Sequence, residues 1–133
     1  MKTQLTAEES AKLIELGVSP ERASEIYIDA GEHGKFSIPK ATSMMLECAH
    51  EAKIISPIFN IGDLLALLPK SIEHGGYAEA KLNIYTRPHR RECWVAKYIV
   101  SAKTIPYDGA GDELIDALYE VLYKLLDNHV KLD

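Results

Sequence analysis

Cysteine is nearly absent: Cys48 and Cys93 are the only two in 133 residues, enough for one bridge at most, so no disulfide framework holds this chain together. Long apolar runs are missing as well. Stretches such as Asp63-Leu64-Leu65-Ala66-Leu67-Leu68-Pro69 break far short of the ~18 residues that a membrane span needs. Met1-Lys2-Thr3-Gln4 is followed by no apolar signal segment. Together these absences predict a cytoplasmic protein in a reducing compartment. Basic charge is in deficit, with twenty acidic against fifteen basic side chains and a formal net charge of −5, which repels phosphate backbones unless a basic patch is segregated. No serine sits in a Gly-x-Ser-x-Gly elbow, and neither cysteine has a signature that brings a histidine beside it. What is present is an ordinary globular balance, 47% hydrophobic and 26% charged. A chain of this length buries roughly two thirds of its unfolded surface, so residues 1–133 are expected to form a single domain.

The elements can be read from caps and periodicity. Thr6 with Glu9 forms a capping box, so a helix should start there. Gly17 closes it, and Ser19-Pro20 is expected to open a second helix running to about Ala30. Gly31-Glu32-His33-Gly34 reads as a turn before a short strand from Lys35 to Ile38. Between Pro39 and about Ala52, Ala41, Met44, Met45, Cys48 and Ala52 recur at helical spacing, whereas Ile54-Ile55 looks extended. Asn60 and Asp63 open a short helix carrying Leu64, Leu65, Leu67 and Leu68 that Pro69 stops.

Tyr77–Thr86 and Glu92–Val100 read as antiparallel strands joined by the turn Arg87–Arg91. Thr104–Gly111 reads as a loop and Asp112 as the cap of a helix reaching His129. That helix is strongly amphipathic, its apolar residues filling an arc of about 160°. The strand face of Trp94, Ala96 and Tyr98 is expected to lie against it. The fold class is therefore α+β: an antiparallel hairpin or small sheet packed on a long C-terminal helix, with N-terminal helices.

Few constellations could carry chemistry. Ala11–Ile26 has the helix, glycine turn and helix order of a DNA-reading motif, but Leu13 is bulky where the helices must approach. The second helix would present Glu21, Glu25 and Asp29 against one Arg22. The turn Arg87, His89, Arg90 and Arg91, with Lys97 on the next strand and Tyr85 and Trp94 to stack on a base, is the best nucleic-acid contact the chain offers. Glu92 and the acidic remainder oppose it, and a solvated turn that discourages edge pairing explains the same charges. Cys48 with His50 and His89 with Cys93 could bring metal ligands together, yet Cys48 and His50 are too close for a structural zinc pair.

Gly109-Ala110-Gly111 before a helix resembles a phosphate loop, but Asp108, Asp112 and Glu113 would repel an anion. His33 and His74 flank glycines, and His129 sits at a helix end, which are structural positions. The sequence thus predicts no catalytic residue, no metal and no cofactor. Tyr119, Tyr123, Leu126 and Val130 widen the apolar arc of the last helix on one flank. Either the Leu-rich helix or a second copy of the chain, in a homodimer, should cover that flank, because tyrosine is enriched at interfaces.

Three stretches, Phe59–Ile72, then Trp94 and Tyr98, then Asp112–Tyr119, resemble small uncharacterised proteins of bacterial phages, prophages and mobile elements. The matching motifs are packing motifs and carry no catalytic residues with them. The resemblance implies a cytoplasmic accessory protein. The expected activity is binding to a protein partner, with nucleic-acid binding through Arg87–Arg91 or the N-terminal helix-turn-helix-like segment as the alternative.

Overall fold

The computed structural model describes residues 2–29, 31–40, 53–73, 79–88, 93–100 and 103–133. The chain divides into two compact units, Gln4–Asp63, and Met1–Thr3 with Leu64–Asp133. The α+β class holds: helices accompany two antiparallel sheets, and the C-terminal helix packs against sheet strands. Among the described residues no helix is long and apolar enough to cross a membrane.

In the first unit, α1 (Ala7–Glu15) begins on the expected capping box. The Glu9 N–H donates to Thr6 Oγ1 at 3.1 Å, and the Thr6 N–H to Glu9 Oε1 at 3.0 Å. The helix ends where Gly17 takes φ 114°, a value glycine adopts without the penalty a Cβ would bring. The helix expected over 20–30 does not form. Pro20–Arg22 makes a single 3-10 turn, and Glu25–Asp29 is the strand β1. Period two wins over period 3.6 here because Ile26 and Ile28 are β-branched and bury on one face, while Glu25, Tyr27 and Asp29 stay half-buried on the other.

Strand β1 is central in the order β2-β1-β3, with β2 at Lys35–Pro39 and β3 at Lys53–Ile58. Ile38 pairs with Ile26 and packs on the Ile26–Ile28 cluster. The helix expected from Pro39 to Ala52 lies outside the described residues from 41 to 52; Pro39 itself closes β2. Ile54-Ile55 is extended in β3, as its sequence suggests.

The short Leu-rich helix, α2 (Ile61–Leu67), forms where Asn60 and Asp63 place it. Leu64, Leu67 and Leu68 are buried, and Leu65 remains exposed.

In the second unit the sheet order is β4-β5-β6-β7, all antiparallel: Ser71–Ile72, Ala80–Thr86, Trp94–Val100 and Lys103–Gly111. The hairpin β5–β6 is as expected. Strand β7 corrects the loop expected over Thr104–Gly111. Its Pro106 and two glycines read as loop signals, yet each has a sheet-specific reason. Pro106 falls where the β6–β7 register shifts between Lys97 and Ile99, a place where a residue lacking an N–H is tolerated. Gly109 and Gly111 lie beneath α3 (Leu114–Asp127): a Cβ on Gly109 would stand 2.3 Å from Ala117 O and 2.8 Å from Val121 N, and one on Gly111 2.7 Å from Asp116 Cβ.

The α3 backbone therefore rests almost directly on β7. Ala117, Leu118, Val121, Leu122 and Leu125 are fully buried. The N-cap is Glu113, with no side-chain capping bond, and not Asp112. Ala96 opposes Gly109 and Trp94 opposes Gly111, so the face of Trp94, Ala96 and Tyr98 is the helix side. Ala96 and Tyr98 are fully buried there and Trp94 is half-buried.

The Tyr98 hydroxyl donates to Pro69 O at 2.6 Å. Burial, and then the negative charge of Asp133, hold its phenol well above the usual tyrosine value. Above about pH 10 the unfolded chain releases a proton that the folded chain keeps, so this contribution to stability is intact below that pH and is lost as pH rises past it. Denaturation followed from about pH 9 to 11 should show a fall in stability that Tyr98→Phe removes; equal slopes in the two proteins would contradict the assignment.

Candidate functional site

The cationic hairpin starts from Arg87, half-buried, whose N–H donates to Cys93 O at 2.6 Å and closes the β5–β6 connection. His89, Arg90 and Arg91 lie outside the described residues. Lys97 is half-buried, with its Nζ 5.2 Å from the centroid of the Tyr85 ring, a cation–π contact across neighbouring strands. On the other side Lys97 opposes Asp108, whose carboxylate receives Lys124 Nζ at 2.9 Å. The hydrogen bond to Asp108 and the charges of Asp108 and Glu120 outweigh the opposing effect of burial and raise the Lys124 pKa.

The base-stacking pair expected of Tyr85 and Trp94 is not assembled. Tyr85 opposes Val95 and Trp94 opposes Thr86; an offset of one residue along a strand sends the two rings to opposite faces of the sheet.

Other candidates are also corrected. The segment Ala11–Ile26 has no second helix, because Pro20–Arg22 and β1 occupy its place, so no recognition helix exists to enter a groove. Gly109-Ala110-Gly111 is strand and not a phosphate loop; its glycines admit the helix backbone. Cys48, His50, His74 and His89 lie outside the described residues. Cys93 is a half-buried free thiol that donates to Asp112 O at 3.5 Å. Among the described residues no cluster of three or more His, Cys, Asp or Glu is present.

Tyr119, Tyr123 and Leu126 fall on one face of α3 and Val130 lies beyond the end of the helix; each of the four is half-buried. The Tyr119 and Tyr123 rings, one helical turn apart, lie 6.3 Å between centroids at 52°, within the range of favourable aromatic pairs. Beyond the helix His129 takes φ 58° and the Val130 N–H donates back to Leu125 O at 2.9 Å, so the chain folds over. The Asp133 N–H then donates to Leu67 O at 3.1 Å. Between this returning segment and β4 is an open hollow of about 410 Å³, with Ile72, Glu73, Val130 and Leu132 in its wall. Neither the hollow nor the return could be read from the sequence, since both depend on one left-handed residue that is not glycine.

The sequence also understates Asp63. Its carboxylate is 8% exposed and does more than open α2. Asp63 Oδ2 accepts from the N–H groups of Ser24 (2.8 Å) and Asn60 (3.0 Å), Asp63 Oδ1 accepts from the Ser24 hydroxyl, and the Asp63 N–H donates to Asn60 Oδ1 at 2.9 Å. This ties the residue before β1 to the start of α2. With every carboxylate contact supplied from within the unit, the group serves as a structural tie.

No family model, curated protein or solved structure matches the chain.

Proposed function

We propose that this is a small cytoplasmic accessory protein of the phage and mobile-element kind that acts by binding a protein partner through the flank of α3. The observation that supports this reading is the pair of half-buried tyrosines, Tyr119 and Tyr123, one turn apart on the face of α3 that also carries the half-buried Leu126, with their rings 6.3 Å between centroids. Paired tyrosines offer large contact area with few rotatable bonds and a hydroxyl for the rim, which is why such residues anchor protein interfaces.

The alternative, nucleic-acid binding through Arg87, Lys97 and the cationic turn, has less to work with. Lys97 already covers the Tyr85 ring and faces Asp108, and the chain carries a formal charge of −5. Random duplex and single strands should show no retention at physiological salt, because the few cations release few counterions. Sub-micromolar binding that weakens steeply with added salt and is lost in Arg90→Ala with Arg91→Ala would overturn that expectation.

The partner reading is tested by affinity capture of the tagged chain from its own cells with nuclease present, beside a Tyr123→Lys variant of equal melting temperature. A protein retained by the parent and lost by the variant supports it. Capture unaffected by Tyr123→Lys, or of nucleic acid alone when nuclease is omitted, refutes it.

A further inference from the structure

Basic charge is segregated in this chain. Residues 80–100, which span the hairpin β5–β6, hold Lys81, Arg87, Arg90, Arg91 and Lys97 against the single acid Glu92, whereas the remainder has ten basic side chains to nineteen acidic. Alternation along β5 sets Lys81, Tyr85 and, just past the strand, Arg87 toward the sheet face away from α3. Lys97 shares that face, with its Nζ 5.2 Å from the Tyr85 ring centroid, and Asp108 opposite it is engaged by Lys124.

The edge of the same strand is open. Strand β4 covers β5 only at its start: Ser71 opposes Lys81, Ile72 opposes Ala80, and the Leu82 N–H donates to Lys70 O at 3.0 Å. Along a strand the N–H and C=O of alternate residues point to the same side, and β5 pairs with β6 without a register shift. The backbone groups of Ile84 and Thr86 therefore point away from β6, as those of Leu82 do. Among the described residues no strand pairs with them there. Ile84 and Tyr85 are both 37% exposed at this stretch. An open row of donors and acceptors beside exposed apolar side chains is a template for one more strand.

We propose that this edge receives an extended acidic segment of another protein, added to the sheet as a strand beside Ile84–Thr86. The surface is separate from the α3 flank and goes beyond the reading given for it. The N–H and C=O groups of Ile84 and Thr86 hold the segment, and the two sheet faces select its alternate side chains. Those on the face away from α3 meet Lys81, Arg87 and Lys97 and are acidic; those on the other face lie beside Ile84 and are apolar. A second copy of this chain would bring cations to both sides of the seam, so the same charges that admit an acidic strand refuse it. A nucleic-acid strand fits less well. The open row turns carbonyl oxygens as well as N–H groups toward a phosphate, Tyr85 and Trp94 lie on opposite faces, and Lys97 already covers the Tyr85 ring.

The experiment titrates the full chain at low salt with a fluorescent peptide of alternating Glu and Val. Beside it are the same peptide with Lys in place of Glu, the Glu peptide N-methylated at every amide, and a thymidine single strand. Amide exchange is followed residue by residue by NMR. The Glu peptide should bind at least about tenfold more tightly than the Lys and N-methylated peptides, the first lacking the charge and the second the backbone donors. Its affinity should fall as salt is added and stay unchanged in Tyr123→Lys. Exchange should slow at the Ile84 and Thr86 N–H groups, while that of Tyr85, already turned to β6, stays as it was. No binding at ~1 mM peptide, equal affinity for the Lys or the N-methylated peptide, or slowed exchange confined to α3 overturns the proposal. Tighter binding of the thymidine strand than of the Glu peptide also overturns it and assigns the hairpin's charge to nucleic acid.

Discussion

Gly109→Ala should lower the melting temperature by about 10 °C or more, the result of a methyl group placed against backbone that has no room for it. At 2.3 Å from Ala117 O and 2.8 Å from Val121 N, the new carbon cannot be relieved by a side-chain rotation. Either α3 lifts off β7 or the strand bends. Overpacking of this kind costs about 1–3 kcal/mol and sometimes more, and in a chain of this size each kcal/mol is worth a few degrees. The control is Gly34→Ala, where nothing lies within 4 Å of an added Cβ and only the φ of 88° resists substitution; its cost should be about 1 kcal/mol. Thermal denaturation of both variants checks the contrast. A Gly109→Ala protein that melts with the parent would mean that α3 does not sit on β7 as described.

The second large effect is expected at Asp63. Asp63 is itself 8% exposed, and removing its carboxylate takes the acceptor from the N–H groups of Ser24 and Asn60 and from the Ser24 hydroxyl. Water can take the place of the carboxylate at Ser24, which is exposed, and in part at the half-buried Asn60, so the loss is that of hydrogen bonds to a charged group and not of donors stranded without a partner. Asp63→Ala should therefore destabilise the protein by about 1–2 kcal/mol, read by denaturant titration at constant slope. Asp63→Asn should recover little of this, because one of its two acceptors becomes a donor aimed at donors. Amide exchange should quicken first at Ser24 and Asn60. A loss under about 0.5 kcal/mol for both variants would show that the tie is not what holds this corner.

These two residues also mark how far the fold could be read from the chain. The α1 capping box, the β5–β6 hairpin and the long amphipathic α3 were legible because each rests on local chemistry: a reciprocal cap, alternation, and an apolar stripe. Strand β1 was misread as helix because Ser19-Pro20 is a sound helix opening. The alternation of Ile26 and Ile28 decides otherwise only when β2 and β3 flank it. Strand β7 was misread as loop because Pro106, Gly109 and Gly111 are turn residues in isolation, and the helix that requires the glycines comes later in sequence.

The candidate site was legible to a similar depth. The face of Tyr119, Tyr123 and Leu126 follows from helical periodicity, whereas Val130 lies past the end of α3 in the returning segment, which periodicity does not foresee. The separation of Tyr85 from Trp94 to opposite faces depends on a register of one residue that composition does not reveal. The same holds for Ser24 and Asp63, 39 positions apart.

The central claim is that the α3 flank receives a protein partner. Amide exchange of the chain measured free and then bound to the protein captured from its own cells tests it most directly. The account predicts slowed exchange concentrated over Tyr119–Val130, with the tip of the β5–β6 hairpin unchanged. Protection centred on Arg87–Lys97, with α3 exchanging at the same rate in both states, would contradict it.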